Sequence, residues 1–300
     1  MHNIRLGEPK LGDTVLINGH EFVILKEVGK GSSGRVFQAL SNRYHEIFAL
    51  KWIEIKRDDD RQSIQNEIQL MRKLGRLENV DTVVLLFDFM STPDAIYLVM
   101  ELGEIDLASL LKRQHKKKFN MSNIRSWWHQ ILLAVKTIHD EEIVHTDLKP
   151  ANFVMVKGTL KLIDFGIAKK IEDDTLHIHR DNQVGTINYM SPEALIEVNE
   201  SFSQRILIKQ GKPSDVWSLG CILYHMVYGR PPFYHLTPPQ KVLKIPDHAH
   251  PIPFPFEATD GTGAKVTLSK DLIILMKHCL NRDAAARPSV GELLNHPFCQ

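Results

Sequence analysis

Oxygen ligands and one ammonium crowd a short stretch of this chain, Ile143-Val144-His145-Thr146-Asp147-Leu148-Lys149-Pro150-Ala151-Asn152. Two strand-like pieces follow, Phe153 to Val156 and Thr159 to Ile163, and then Asp164-Phe165-Gly166. Transfer of a phosphoryl group needs an acceptor hydroxyl held in line, a group to take its proton, and a divalent metal that neutralises charge on the phosphates. Asp147, Asn152 and Asp164 supply oxygens for those tasks. An isolated Asp in a polar loop is more often only a turn or a cap, so the reading depends on what else faces this stretch.

A second group of residues answers that need. Gly29-Lys30-Gly31-Ser32-Ser33-Gly34-Arg35-Val36 fits G-x-G-x-x-G-x-V, in which missing Cβ atoms let main-chain N–H groups approach phosphate oxygens. Taken alone, the spacing also suits a flexible hairpin turn. A Rossmann fingerprint would open a helix, whereas Val36-Phe37-Gln38-Ala39 reads as strand; a Walker A loop needs Lys-Ser/Thr where this chain has Arg35-Val36. What is left is a glycine-rich hairpin over a nucleotide, which calls for a cation. Period-two alternation puts Lys51 on one face with Ile47, Ala49 and Ile53, and Glu67 falls inside the apolar stripe Ile64, Ile68, Met71, Leu74. Each charge would be costly there unpaired, so the two are expected to pair, either as a plain structural ion pair or with Lys51 also gripping phosphate.

The elements that must position these groups change character along the chain. Phe22 to Leu25, Arg35 to Leu40 and Ile47 to Ile55 read as a β-meander, Ile64 to Leu77 as a helix, and Val83 to Phe89 and Ile96 to Met100 as strands. After the hinge-like Glu101-Leu102-Gly103 helices dominate: Asp106 is a cap for Leu107 to Arg113, and Ser122 for a helix with Ile124, Trp127, Trp128, Ile131, Leu132, Val135 and Ile138 on one face. Lys112 to Lys118 reads as a solvated charge run, and Glu197 to Pro213 as a polar, mobile insertion. His145 reads as a brace for the loop around Asp147 rather than as a base, and Cys221 as an inert buried thiol.

Composition sets the outer bounds. Across 300 residues the chain is 43% hydrophobic and 24% charged with a formal charge of +1, which excludes disorder and coiled coil and gives no reason to expect nucleic acid or membrane as a partner. Three cysteines form no disulfide framework, and the His-containing pairs His177/His179 and His248/His250 lack companion ligands for a structural metal. No apolar run approaches the about 20 residues of a membrane span, so an intracellular chain, in cytoplasm or nucleus, is expected.

From Phe22 to Phe298 the motifs together resemble the eukaryotic protein kinases. The resemblance implies an α+β fold of two lobes: an N-lobe at 21–101 with a small antiparallel sheet and one key helix, and a larger, mostly helical C-lobe at 102–300. They make one catalytic domain at 21–298 after an N-terminal extension at 1–20, with ATP and magnesium bound between them. It implies that Gly29, Gly31, Gly34 and Val36 form the phosphate flap and that Val36 and Ala49 sandwich adenine. Lys51 would bind phosphate and pair with Glu67, Asp147 would be the catalytic base, Lys149 would reach the γ-phosphate, and Asn152 and Asp164 would hold Mg2+. Ser191-Pro192-Glu193 stands in place of Ala-Pro-Glu with Arg287 placed to pair with Glu193, Asp215 to Gly220 is a buried helix start, and Gly185 to Glu193 resembles a peptide-docking shelf.

Within that family Gly103-Glu104-Ile105-Asp106-Leu107, the stretches around Asp147 and Asp164, and Gln183 to Met190 are similar to the monopolar spindle kinases, which are dual-specificity, mainly Ser/Thr, enzymes of the mitotic spindle checkpoint. That likeness implies Met100 as gatekeeper, the main chain of Glu101 and Gly103 on adenine, protein substrates bearing Ser/Thr, and a kinetochore or spindle location. One departure stands out: most kinases carry Arg before the catalytic Asp, to clasp an activation-loop phosphate, and this chain has Thr146. Activation is therefore expected without that clasp, with Thr175 or Thr186 as autophosphorylation acceptors in a transient dimer. The reading set against it is a pseudokinase or scaffold of the same fold, disfavoured because Lys51, Glu67, Asp147, Asn152 and Asp164 are all present.

Overall fold

The structure is a computed structural model that describes residues 7–31, 34–77, 81–114, 117–164, 187–200 and 211–300. One unit runs to Glu104 and takes in Val156–Gly158; the other holds Ile105–Met155, Thr159–Asp164 and the described residues from 187 onward. Thr175 and Thr186, Phe165-Gly166, Ser32-Ser33 and His177/His179 lie outside the described residues.

The first unit is a six-stranded antiparallel sheet with one helix. Its strands are β1 (Thr14–Ile17), β2 (His20–Gly31), β3 (Gly34–Ser41), β4 (Ile47–Glu54), β5 (Leu86–Ser91) and β6 (Ala95–Met100), in the order β1-β2-β3-β4-β6-β5. Alternation along β4 decides the packing. Phe48 and Leu50 join Phe22, Ile24, Phe37, Ala39, Tyr97 and Val99 in one cluster; Ile53, on the opposite face, joins Ile96 and Leu98 of β6 with Ile64 and Ile68 of helix α1 (Asp58–Leu74). Strand β1 falls within the residues read as an extension. It is built by Asn18-Gly19, both at positive φ (47° and 83°), a two-residue turn that sets Ile17 opposite His20. The sheet curls until β1 lies beside β5, where Asn18 Nδ2 donates to Asp88 Oδ1 (2.8 Å) and the Phe89 carbonyl (3.0 Å). Fully buried Tyr97 pins the segment leading into β1, its hydroxyl donating to the Gly7 carbonyl and accepting from the Gly7 N–H, both at 2.7 Å.

The second unit is mostly helical: α2 (Leu107–Gln114), α3 (Met121–Asp140), α4 (Pro192–Glu200), α5 (Lys212–Tyr228), α6 (Pro238–Lys244), α7 (Lys270–Cys279) and α8 (Val290–Leu294). Asp106 caps α2 as expected, its Oδ1 accepting from the Ser109 N–H at 2.8 Å. The cap of α3 is Asn120, not Ser122: the helix starts at Met121, and Asn120 Oδ1 accepts from the Asn123 N–H at 3.1 Å. Asn and Ser cap about equally well, so local chemistry did not decide between them. On the expected face of α3 every residue is buried except Trp127, which is half-buried. Both ends of the insertion expected at Glu197 to Pro213 are helical instead, Glu197–Glu200 continuing α4 and Lys212-Pro213 beginning α5; residues 201–210 lie outside the described residues. Helix α5 is buried on all sides from Ser214 to Leu223, so it shows no polar face. Strands β7 (Ile105–Asp106), β8 (Phe153–Val156) and β9 (Thr159–Leu162) form a small sheet against α3, where Gln130 Oε1 accepts from the Leu160 N–H at 2.7 Å. A hairpin of β10 (Glu257–Thr259) and β11 (Lys265–Thr267) completes the unit. No helix among the described residues is long and apolar enough to cross a membrane.

Candidate active site

In the first unit, strand register sets the residues in rows. Gly29 faces Val36 and Gly31 faces Gly34 across the hairpin; Val36, Lys51 and Leu98 lie opposite one another, as do Gln38, Ala49 and Met100. Val36, Ala49, Lys51 and Met100 therefore share one face of the sheet. Gly34, at φ 125°, is required by close approach, since a Cβ there would collide with the Trp52 carbonyl. At Gly29 a Cβ would meet nothing closer than Val36 Cβ at 3.9 Å, so protein packing does not demand that glycine. Lys51 and Glu67 are both buried, each 4% exposed, and flank the same cluster: Lys51 shares the face of Ile53 on β4, and Glu67 is next to Ile68 on α1. The Glu101 N–H donates to the Leu85 carbonyl at 3.0 Å, which engages one of the main-chain groups expected at adenine.

The second unit gathers Asp147, Lys149, Asn152 and Asp164 around the β8–β9 hairpin. Asn152 ends the short turn Pro150–Asn152 that leads into β8, and Asp164 follows β9. The Ile163 N–H donates to the Asn152 carbonyl at 2.8 Å, which ties together the two ends of the hairpin. Lys149 Nζ lies 2.9 Å from Asp147 Oδ2. His145 is buried and bridges the main chain at the two acids: its Nδ1 accepts from the Asp147 N–H (3.2 Å) and its Nε2 donates to the Asp164 carbonyl (2.5 Å). These bonds need the neutral imidazole protonated on Nε2, and burial lowers its pKa, outweighing the nearby Asp215 and Asp147 charges that would raise it. The ring is a brace, as the sequence suggests.

Behind the loop sits Asp215, the fully buried first-turn acid of α5. Its Oδ2 accepts from the His145 N–H (2.9 Å) and from His139 Nε2 (2.8 Å), and its Oδ1 accepts from the Thr146 N–H (2.9 Å). Thr146 needs holding, because a β-branched residue at φ 66° lies in the left-handed region; Asp164 shares that region at φ 54°. Neither the hub role of Asp215 nor its partner His139 was legible in the sequence, where the two are far apart.

The expected pair of Glu193 with Arg287 is present and two-pronged, at 2.7 and 2.8 Å, with Ser214 Oγ donating to the same carboxylate at 2.8 Å. Burial pushes the Glu193 carboxyl up, but the Arg287 hydrogen bonds and charge prevail and hold it below its ordinary value. Arg287 also donates to the Pro213 and Asn281 carbonyls and lies over the Trp217 ring, so it fastens α4 to the start of α5. Cys221 and Cys279 are buried, and burial raises both thiols, Cys279 to about 12.

Asn152 Oδ1 passes a test for a hard cation. It is buried with no hydrogen-bond partner among the described residues, and the Asn152 carbonyl accepts from the Ile163 N–H, one residue before Asp164. No group of three or more His, Cys, Asp or Glu that could hold a metal occurs among the described residues. Magnesium in phosphoryl-transfer sites uses only one or two protein oxygens with substrate phosphates completing the shell, so Asn152 and Asp164 fit it as they stand.

Residues 22–299 match the protein kinase domain family. The chain is 46% identical to the serine/threonine-protein kinase mph1 of Schizosaccharomyces pombe over 95% of its length, covering 44% of that protein. It is 44% identical to the dual specificity protein kinase TTK of Mus musculus over 98% of its length, covering 33% of that protein. It is 36% identical to the serine/threonine-protein kinase MPS1 of Saccharomyces cerevisiae over 95%, covering 37% of that protein. The chain thus spans less than half the length of these relatives.

Proposed function

Since the chain belongs to the protein kinase domain family, we propose that it transfers the γ-phosphoryl group of ATP to Ser and Thr hydroxyls of protein substrates, with Tyr as a second acceptor class. Asp147 takes the proton of the acceptor hydroxyl as its oxygen bonds to the γ-phosphorus and the bond to the β,γ-bridging oxygen breaks, releasing ADP. The ammonium of Lys149, beside that carboxylate, meets the charge of the transferring group. His145 and Asp215 touch no substrate; they fix the main-chain N–H groups of His145, Thr146 and Asp147 itself. Asn152 and Asp164 hold magnesium, which when bound neutralises phosphate charge.

In the first unit Lys51, set by Glu67, binds the α- and β-phosphates under the flap of Gly29, Gly31, Gly34 and Val36. Adenine lies against Val36 and Ala49 beside Met100, using the Glu101 carbonyl and the Gly103 main chain. The observation that carries the reading is the buried bracing of Asp147 with a cation 2.9 Å from its carboxylate. Spindle-checkpoint signalling and a spindle or kinetochore location are proposed from the likeness to the monopolar spindle kinases, as is autophosphorylation at Thr175 or Thr186.

The test is radiolabelled-ATP transfer to a generic basic protein by wild type, Asp147→Ala and Lys51→Met. Loss of proton acceptance at Asp147 is expected to lower transfer by at least about a hundredfold. Equal incorporation by wild type and Asp147→Ala would overturn the assignment and favour a scaffold. Mapping phosphates in the same reactions tests Thr175 and Thr186.

A further inference from the structure

Helix α1 begins without an apolar residue: Asp58-Asp59-Asp60-Arg61-Gln62-Ser63 precede Ile64, the first member of its buried stripe. Apolar burial therefore does not hold the start of the helix that carries Glu67. The three acids suit the positive end of the helix dipole, but Arg61, at the fourth position, does not. Its bonds supply another reason for an arginine there. Half-buried Arg61 donates from Nη1 to Ser91 Oγ (2.6 Å) and from Nη2 to the Thr92 (2.9 Å) and Pro93 (2.5 Å) carbonyls, all at the end of β5 and the turn into β6. That turn is firm, since the Thr92 N–H donates to the Ala95 carbonyl (2.8 Å) and the Ala95 N–H to Thr92 Oγ1 (3.0 Å). The Ile55 N–H, just ahead of the helix, donates to the Asp94 carbonyl of the same turn at 2.9 Å.

The anchor stands at a matched distance from Lys51. Farther along α1 the Arg72 guanidinium lies 5.5 Å from the centre of the Phe89 ring on β5, and Phe89 faces Leu98 on β6, so the helix and β6 both run away from the turn. Along the helix, Glu67 stands about 9 Å beyond Arg61. Along β6, Leu98 stands about 10 Å beyond Ala95 and lies directly opposite Lys51 on β4. Ile64 and Ile68 pack with Ile96 and Leu98 in one cluster, so the two legs cover the same ground and reach Glu67 on one side and Lys51 on the other.

We propose that Arg61 is a positioning residue: it fastens the start of α1 to the β5–β6 turn, so holds Glu67 toward Lys51, and through that pair sets the grip of Lys51 on the phosphates of ATP. The proposal rests on the nucleotide reading of Lys51 given above. Arg61 itself touches no substrate. A guanidinium bonded to two carbonyls and a hydroxyl fixes direction as well as distance, which a single ammonium does not match. Without those bonds the polar start of the helix swings about the stripe at Ile64 and Ile68, and Glu67, next to Ile68, moves with it.

The experiment reads nucleotide affinity by titration with a fluorescent ATP analogue and transfer by steady-state kinetics, well below the unfolding temperature. The proteins are wild type, Arg61→Met, Arg61→Lys, Glu67→Gln and Arg61→Met combined with Glu67→Gln. Arg61→Met keeps the stem and removes the donors. It is expected to weaken nucleotide binding and raise KM for ATP by about tenfold, the equivalent of one charge-assisted hydrogen bond, with KM for the protein substrate unchanged. Arg61→Lys should fall between Arg61→Met and wild type. Because both residues act through one pair, adding Arg61→Met to Glu67→Gln should weaken binding by less than about a further twofold. If Arg61→Met does not fold, Arg61→Lys combined with Glu67→Gln carries the same test. A merely structural arginine would lower the melting temperature and leave ATP affinity at the wild-type value; that result, or full additivity in the double variant, overturns the proposal and leaves the kinase reading intact. Nucleotide binding that Arg61→Met weakens as expected, with no transfer by wild type, upholds the positioning role and overturns the kinase reading.

Discussion

Replacing Asp215 with Asn tests whether the loop bearing Asp147 is held from behind. The wild-type side chain accepts three hydrogen bonds, two from main-chain N–H groups and one from His139, in a fully buried position. Asn in the same rotamer offers one oxygen. If that oxygen keeps His139 and the His145 N–H, its amide nitrogen confronts the Thr146 N–H, a donor against a donor. A buried donor left without an acceptor costs about 1–3 kcal/mol, and a hydrogen bond to a charged group contributes about 1.5–3 kcal/mol, so a combined loss of about 2.5–6 kcal/mol is expected. Thr146, freed from its anchor, can leave its left-handed conformation, and Asp147 moves with it. Urea unfolding should therefore show a lower midpoint with unchanged slope, and kcat/KM measured well below the transition should fall at least tenfold. A variant within about 0.5 kcal/mol of wild type and with undiminished kcat/KM would refute the argument.

Arg287→Ala removes the only bidentate partner of Glu193 found among the described residues and leaves buried acceptors at Pro213 and Asn281, so calorimetry should show a loss of about 3–5 kcal/mol. The folded-state pKa of His145 is depressed, so the unfolded chain binds the extra proton first as pH falls. The stability contributed by neutral His145 is complete above its unfolded value of about 6.5 and shrinks as pH drops from there toward the folded value. In His145→Gln, denaturant midpoints between pH 7 and about 5 should decline less steeply than in wild type; identical slopes would exclude this group.

How far the sequence led depends on whether a signal was local. The meander, the apolar stripe of α1 and the cap at Asp106 were legible because alternation, helical spacing and capping each act within a few residues. Glu67 and Lys51 stood out as charges on apolar faces, and both are buried. The pairing of Glu193 with Arg287 came only through resemblance, since nothing local links those positions. Strand β1 carried a readable sign, Asn18-Gly19, that four strand residues were too short to reinforce. Asp215 as hub and the orphan oxygen of Asn152 were out of reach, because they depend on which backbone groups tertiary folding brings within 3 Å.

The curl that brings β1 alongside β5 sets a physical limit different from the one that similarity marks. The family match begins at residue 22, yet Asn18 latches the two rims of the sheet and Tyr97 finds its hydroxyl partners at Gly7. A shortened chain begun at the family boundary would strip the outer rim of β2 and strand a phenol in a dry interior. Its first ailment is colloidal: bare main-chain rims recruit one another between molecules, so clouding at high concentration would set in before any loss of the interior packing.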